Sequence, residues 1–272
     1  DARGDVEVAD VCLQRAERTG LILLDSGAAE GLCQGGDLDR VAQRRPGAVG
    51  FDVADAGGID CGIAMSHSDD VDLALDEIRW GAEHGCFGGV LVPAVSPGDP
   101  SVAPLFHTRY EPLWALCTEL DLTVVQHAGA GSPVMPMDQP ASNAVLVTEM
   151  AMWAQRTVAH LILAGVFERH PELRFVATEQ GTLWLQGQMM MLDAMVPSMK
   201  SEAGNRTYGM FGGSSIDELT MAPSDYAKCN CYLASELTPF ESSMIAYLGP
   251  EHLMWGSDYP HEEGFAPHSR QA

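Results

Sequence analysis

The chain has 272 residues, 46% of them hydrophobic and 19% charged, with a mean hydropathy of −0.02. Such a composition fills a core and excludes intrinsic disorder. Asp and Glu number 38 against 15 Lys and Arg, a net charge of −23, which leaves no general electrostatic footprint for nucleic acid or an anionic membrane.

No apolar run nears the roughly 20 residues that span a bilayer. The opening DARGDVEVAD is acidic and lacks the basic-then-apolar order of a secretory leader. Seven scattered cysteines, an odd number, suit buried thiols in a reducing, cytoplasmic setting better than a disulfide framework. Only Cys229 and Cys231 are close. No second Cys/His pair completes a four-ligand zinc set around them.

In chain order, the apolar runs 21–25 and 49–53 are two candidate strands. Gly62-Ile63-Ala64-Met65 is a third, followed by polar Ser66-His67-Ser68-Asp69. Val71, Leu75, Ile78 and Ala82 then fall on one helical stripe, with Asp69 or Asp70 as N-cap and Gly85 as stop. Residues 89–93 read as a strand buried on both faces, 110–120 as a helix, and 122–127 as a strand. The periodicity predicts one long helix over 142–168, stopped at His170-Pro171. A strand over 174–179 and a helix over 182–195 come next, then a long loop over 198–222. A short strand over 230–233, a helix over 238–248 stopped by Gly249-Pro250, and a strand over 253–258 complete the series. Strands alternating with helices imply parallel pairing through crossovers. Eight of them point to a single (β/α)8 TIM-type barrel over 1–272 rather than an open sheet.

In such a barrel the chemistry sits just beyond the C-terminal ends of the strands. That rule selects His127, Glu179 and Asp258, with His67 two residues past its strand. Imidazole and carboxylate are the ordinary ligands of a divalent ion such as Zn2+ or Mn2+. A carboxylate beside metal-activated water can also carry a proton, a role for which Asp258 is the natural candidate. His84, His160, His170 and His252 read as surface or capping groups, and Met189, Met190, Met191 and Met195 as core filler. Gly129-Ala130-Gly131 is followed by no Lys-Ser/Thr and is not a phosphate loop.

Several segments together resemble a known family. Trp255-Gly256-Ser257-Asp258-Tyr259-Pro260-His261-Glu262-Glu263-Gly264 is similar to the strand-eight signature of the amidohydrolase-related metal-dependent hydrolases, in the branch that contains aminocarboxymuconate semialdehyde decarboxylase. The stretch from Gly165 through His170-Pro171 to Val176 resembles that branch's approach to strand six, and Thr178-Glu179-Gln180-Gly181 a subgroup with Glu at its end. Val125-Gln126-His127 resembles its strand-five ligand. Pro223-Ser224-Asp225-Tyr226 before Asn230-Cys231-Tyr232 also fits. The likeness covers about 62–268, and residues 1–60 match poorly.

The resemblance implies a (β/α)8 barrel with one divalent ion. It makes His127 a ligand and Asp258 a ligand and the acid/base, and sets His261 near the substrate. Glu179 stands where the branch's decarboxylases have a strand-six His and is the candidate third ligand; by their strand-end positions Glu179 and His67 join His261 as candidates to line the substrate site. It implies hydrolysis of a small carboxylate-bearing or cyclic organic substrate. The alternatives are non-oxidative decarboxylation of an aromatic or unsaturated acid, or an inactive barrel that serves as a binding or assembly subunit, for instance as a homo-oligomer. The family's strand-one motif, His-x-His or Glu-x-His, is missing: residues 1–60 hold no histidine. The helical tail beyond strand eight is missing too, so the expectation is a barrel incomplete at one or both ends.

Overall fold

The computed structural model describes residues 62–64, 70–83, 89–93, 102–129, 131–208, 215–235 and 241–255. Apolar segments pair as strands β1 (Gly62–Ala64), β2 (Gly89–Leu91), β3 (Val124–His127), β4 (Phe175–Thr178), β5 (Cys231–Ser235) and β6 (Leu253–Trp255). All neighbours run parallel, and their spatial order is their chain order. A doubly wound sheet would reverse that order at a switch point. An unreversed series of parallel strands with helical crossovers is an arc of a barrel, as the alternation predicts. The runs 21–25 and 49–53 lie outside the described residues.

Strands β2 to β6 carry buried side chains along their lengths, which is why they read as continuous apolar runs. On one face Val90, Val124, Phe175, Ala177, Cys231, Leu233 and Leu253 join the main core with helical residues such as Trp114, Leu161, Ile162, Leu185 and Met189. On the other, Val176, Tyr232, Ala234 and Met254 form a smaller cluster against which Val125 packs. The first face meets the helices; the second is the inner side of the arc. Side chains alternate between them with the strand period of two.

Helix α1 (Val71–Glu83) buries Ala74, Leu75 and Ile78, and Asp70 Oδ1 caps it by accepting from the Leu73 N–H at 3.0 Å. Before α2 (Glu111–Glu119) a single 3-10 turn, Thr108–Tyr110, is capped by His107 Nδ1, which accepts from the Arg109 N–H at 3.1 Å. The helix predicted over 142–168 is two helices, α3 (Ser142–Leu163) and α4 (Val166–Arg169). Gly165 between them takes φ 70°, a left-handed turn that ends a helix at little cost for glycine. Helix α5 (Trp184–Lys200) outruns its predicted end. It buries Met189 alone of the methionine group; Met190, Met191 and Met195 are 65%, 52% and 37% exposed, so the core-filler reading holds for one of four. The expected loop over 198–222 contains α6 (Glu202–Tyr208) and α7 (Ser215–Glu218), and α8 (Pro223–Asn230) leads directly into β5. Helix α9 (Ser242–Leu248) precedes a 3-10 turn, Pro250–His252, and β6. Among the described residues no helix is long and apolar enough to cross a membrane.

Polar bonds tie the crossover segments together. Arg169 grips Glu111 through two nitrogens, each at 2.9 Å, and reaches Glu218 at 3.1 Å and the Ala164 carbonyl at 3.0 Å. His170 joins Glu111 at 2.8 Å. Glu168 accepts from the Tyr226 hydroxyl and from Thr220. These bonds and the Lys200 charge outweigh partial burial and hold its carboxyl below the ordinary range. Asn230 Nδ2 donates to the carbonyls of Pro171 and Leu173, each at 2.9 Å. The family-like stretches 165–176 and 223–232 are therefore bonded to each other, and the first of them also to α2 and α7.

Two expected surface or capping histidines are drawn in from solvent, His252 fully and His160 partly. His252 is 3% exposed, stacks on Tyr232 at 4.7 Å and pairs its Nδ1 with the Cys231 carbonyl at 2.9 Å; burial holds its pKa below the ordinary value. His160 meets the Phe106 ring edge-on at 5.1 Å, and burial, helped by the Arg156 charge, brings its pKa down to about 4. Burial pushes the free thiols of Cys117 and Cys231 upward, Cys117 to about 12. Cys229 is disulfide-bonded, a departure from thiols throughout. It lies on α8 and Cys231 on β5, so the two do not form a metal-binding pair on one strand.

Two tests follow from this architecture. Gly89 opens β2 at φ 144°, and a Cβ there would lie 2.7 Å from the Thr123 carbonyl oxygen and 2.9 Å from Val125 Cγ2. Gly89→Ala is expected to cost about 2 kcal/mol in urea unfolding. The Arg169 guanidinium, with help from His170 and against partial burial, holds Glu111 below the ordinary carboxyl value of 4.5. That contribution is present above pH 4.5 and is lost as pH falls through the depressed value. Glu111→Gln is expected to be less stable than wild type at pH 7, by at most about 1 kcal/mol for so exposed a pair. The gap should close below pH 4.5 when unfolding is followed across pH.

Candidate metal and active site

His127 is the last residue of β3, and register pairs it with Thr178 on β4. It shares the inner face with Val125, two residues earlier. The ladder continues past both strand ends: the Ala128 N–H donates to Thr178 O at 3.0 Å, and the Glu179 N–H to Ala234 O at 2.8 Å. By strict alternation Glu179 would follow Ala177 to the helical side. Instead its backbone turns to φ 55°, one of two non-glycine residues with positive φ among the described residues. A left-handed L-residue costs roughly 1–2 kcal/mol. Here the turn brings Glu179 Oε1 to 3.0 Å from His127 Nε2.

The bend is pinned from behind. Gln180 Nε2 donates to the Gln126 carbonyl at 2.9 Å, and Gln155 Nε2 to the Gln180 carbonyl at 2.9 Å. Trp184 Nε1 donates to Gly181 O at 2.9 Å, and the Thr182 hydroxyl to Glu241 Oε1 at 2.8 Å. Gln180, Thr182 and Glu241 are all buried. The Glu179 carboxylate is thus held on a braced turn, while its tip and the His127 ring remain partly open, 28% and 43% exposed.

Proton counting defines what this pair can hold. His127 Nδ1 lies 2.8 Å from the Ala128 carbonyl, which can only accept, so Nδ1 carries a hydrogen. In a neutral ring Nε2 is then a lone pair facing a carboxylate oxygen. Two acceptors at 3.0 Å need a proton or a metal cation between them. The donor set fits a divalent ion, since it offers an imidazole nitrogen with its other nitrogen fixed by a carbonyl, plus a carboxylate.

Of the residues singled out from sequence, the structure brings His127 and Glu179 together. Asp258, His261 and His67 lie outside the described residues; β6 is described as far as Trp255 and is the third strand on from β3. Among the described residues no group of three His, Cys, Asp or Glu side chains is placed to hold a metal ion. Sequence reasoning missed the buried Glu241, at the N-terminus of α9, and Thr178. The signal for Thr178 was a hydroxyl at the end of an apolar strand, one residue before Glu179.

The model of the amidohydrolase family matches residues 53–272. The chain belongs to the amidohydrolase family. No curated protein matches it by sequence. Among solved structures, it is similar to an amidohydrolase from Mycobacterium avium subsp. paratuberculosis, with TM-score 0.59 and 22% identity, covering 75% of this chain and 50% of that one. It is similar to 5-carboxyvanillate decarboxylase from Sphingomonas paucimobilis, with TM-score 0.57 and 20% identity over 76% and 58%. A dihydroxybenzoic acid decarboxylase from Polaromonas, solved with bound manganese and 2-nitroresorcinol, gives TM-score 0.50 and 20% identity over 71% and 56%. The chain thus spans half to three-fifths of the length of these amidohydrolase-family structures, and the likeness carries the barrel fold.

The strain at Glu179 is separable from the rest of the fold. Glu179→Gly is expected to unfold in urea within about 1 kcal/mol of wild type, because relief of the left-handed cost offsets loss of the half-exposed pair and a looser unfolded chain.

Proposed function

We propose that this amidohydrolase-family chain acts as a divalent-metal enzyme on a small carboxylate-bearing organic substrate, and that decarboxylation of an aromatic acid is its most favoured reaction. Hydrolysis of a cyclic or carboxylate-bearing substrate is the second reading, favoured by the family as a whole. The observation that carries the metal reading is the His127 Nε2–Glu179 Oε1 approach, with Nδ1 already committed to a carbonyl. Support for decarboxylation comes from the two similar barrels named as decarboxylases, and support for manganese beside zinc comes from the one that holds it.

In this reading His127 and Glu179 hold the ion, with Asp258 as a further ligand. The ion, when bound, supplies a Lewis acid that gathers the substrate's oxygens and spreads their charge. The Ala128 carbonyl fixes the ring of His127, so its Nε2 lone pair is presented without reorganisation. Asp258 serves as the acid that delivers a proton to the carbon losing CO2, so that R–COO⁻ and one proton become R–H and CO2. In the hydrolytic alternative the same carboxylate takes a proton from the attacking water and returns it to the leaving group. His261 and His67 border the substrate. An acidic chain with net charge −23 needs such a local positive charge to hold an anionic substrate.

The test is metal analysis and CO2 release. Wild-type protein equilibrated with manganese or zinc is expected to retain about one equivalent, and His127→Ala and Glu179→Gln to bind at least tenfold more weakly. Asp258→Asn is expected to abolish turnover of a hydroxybenzoate panel. No metal retained by wild type at saturating concentration, or wild-type metal affinity in both His127→Ala and Glu179→Gln, overturns the reading.

A further inference from the structure

The inner face of β4 ends in a hydroxyl that the fold does not use. Thr178 is 8% exposed, and its Oγ1 is sealed from solvent without a hydrogen-bond partner. Its backbone is fully employed in the ladder. Register sets it between His127 on β3 and Ala234 on β5, and the period of two sets it on the same face as Val176, in the row that carries His127.

Buried hydroxyls are nearly always bonded, and threonine differs from valine in shape hardly at all. Folding alone is served better by valine here, as it is at position 176. Of the other buried oxygens without partners among the described residues, those of Gln180, Gln188 and Asn230 belong to amides whose nitrogens do make bonds, and the remaining one, the Ser132 hydroxyl, lies beyond the end of β3 and not on a paired strand. Thr178 has no such second use. Turning its χ1 between staggered wells exchanges hydroxyl for methyl with little change of shape, so the donor can be presented to a group that arrives beside His127.

We propose that the Thr178 hydroxyl is a substrate-binding donor, which gives its hydrogen to a carboxylate oxygen of the substrate at the His127–Glu179 site. This rests on the reading that the site takes a metal and a carboxylate-bearing substrate, and it narrows that class to acids whose carboxylate reaches the β4 side of the pair. A hydroxyl donating to a carboxylate makes a short, charge-assisted bond. A site built around such a bond discriminates against ligands that lack the acceptor.

The experiment titrates manganese-loaded wild type, Thr178→Val and Thr178→Ser with 2-hydroxybenzoate by calorimetry, and melts each protein without ligand. Thr178→Val is expected to weaken 2-hydroxybenzoate binding about tenfold, and Thr178→Ser to stay within about threefold of wild type. Thr178→Val should melt no lower than wild type, because the lost hydroxyl makes no bond in the unliganded fold. Equal binding by Thr178→Val and wild type overturns the inference and leaves the metal reading standing. A markedly lower melting point for Thr178→Val also overturns it, by revealing a structural bond. Wild-type protein that takes manganese but not 2-hydroxybenzoate overturns the inference alone; wild type that takes no manganese overturns both.

Discussion

The pairing of parallel strands in chain order is the constraint from which everything else here descends. Each crossover returns the chain to the same end of the sheet, so every strand starts at one rim and finishes at the other. Residues 52 positions apart, His127 and Glu179, become neighbours because β3 and β4 pair from Val124↔Phe175 to His127↔Thr178. A slip of one residue would send His127 to the helical side, where Gln126 is now completely buried. The apolar character of both faces is what forbids that slip. The main core on one side and the Val176–Tyr232–Ala234–Met254 cluster on the other each accept only one register.

The segments that resemble the family divide into two kinds of work. The Arg169–Glu111–Glu218 and Glu168–Tyr226–Thr220 bonds hold the connections that feed β4 and β5. Asn230 does the same for the turn before β4. Their value is positional: they fix where two strands begin, and so where the same strands end. Individually such half-exposed ion pairs are worth little, but a guanidinium that reaches α2, α7 and the end of α3 at once restricts three elements with one side chain.

The alternation of apolar runs and amphipathic stripes made the barrel legible, because a parallel strand buried on both faces leaves a continuous apolar signature. It also made His127 and Glu179 legible as strand-end groups. Other features were hidden for physical reasons. The break at Gly165 sits inside a helical period that a single left-handed residue does not disturb in composition. The short helices α6 and α7 are polar and too short to fold on propensity alone; bonds such as Ser215 Oγ to Leu163 O at 2.8 Å hold them in place. His252 looks like a helix-end residue by sequence, yet stacking on Tyr232 and a carbonyl partner carry it indoors. The position of Thr178 at a strand end was legible, but the lack of a partner for its hydroxyl was not, because that is a property of three strands at once.

The bend at Glu179 has a consequence for reading relatives of this barrel. The heading of its carboxylate is set by the handedness of one peptide unit, braced by Gln180 and Thr182, and not by side-chain rotation alone. A homologue that keeps a glutamate at the aligned position still loses its approach to the strand-end histidine if an insertion or deletion in residues 179–182 lets the chain run on as ordinary strand. Alignment columns would score such a sequence as intact. The transferable unit of this site is the kinked tetrapeptide, with its length and its curl, and the letter E is only its most visible part.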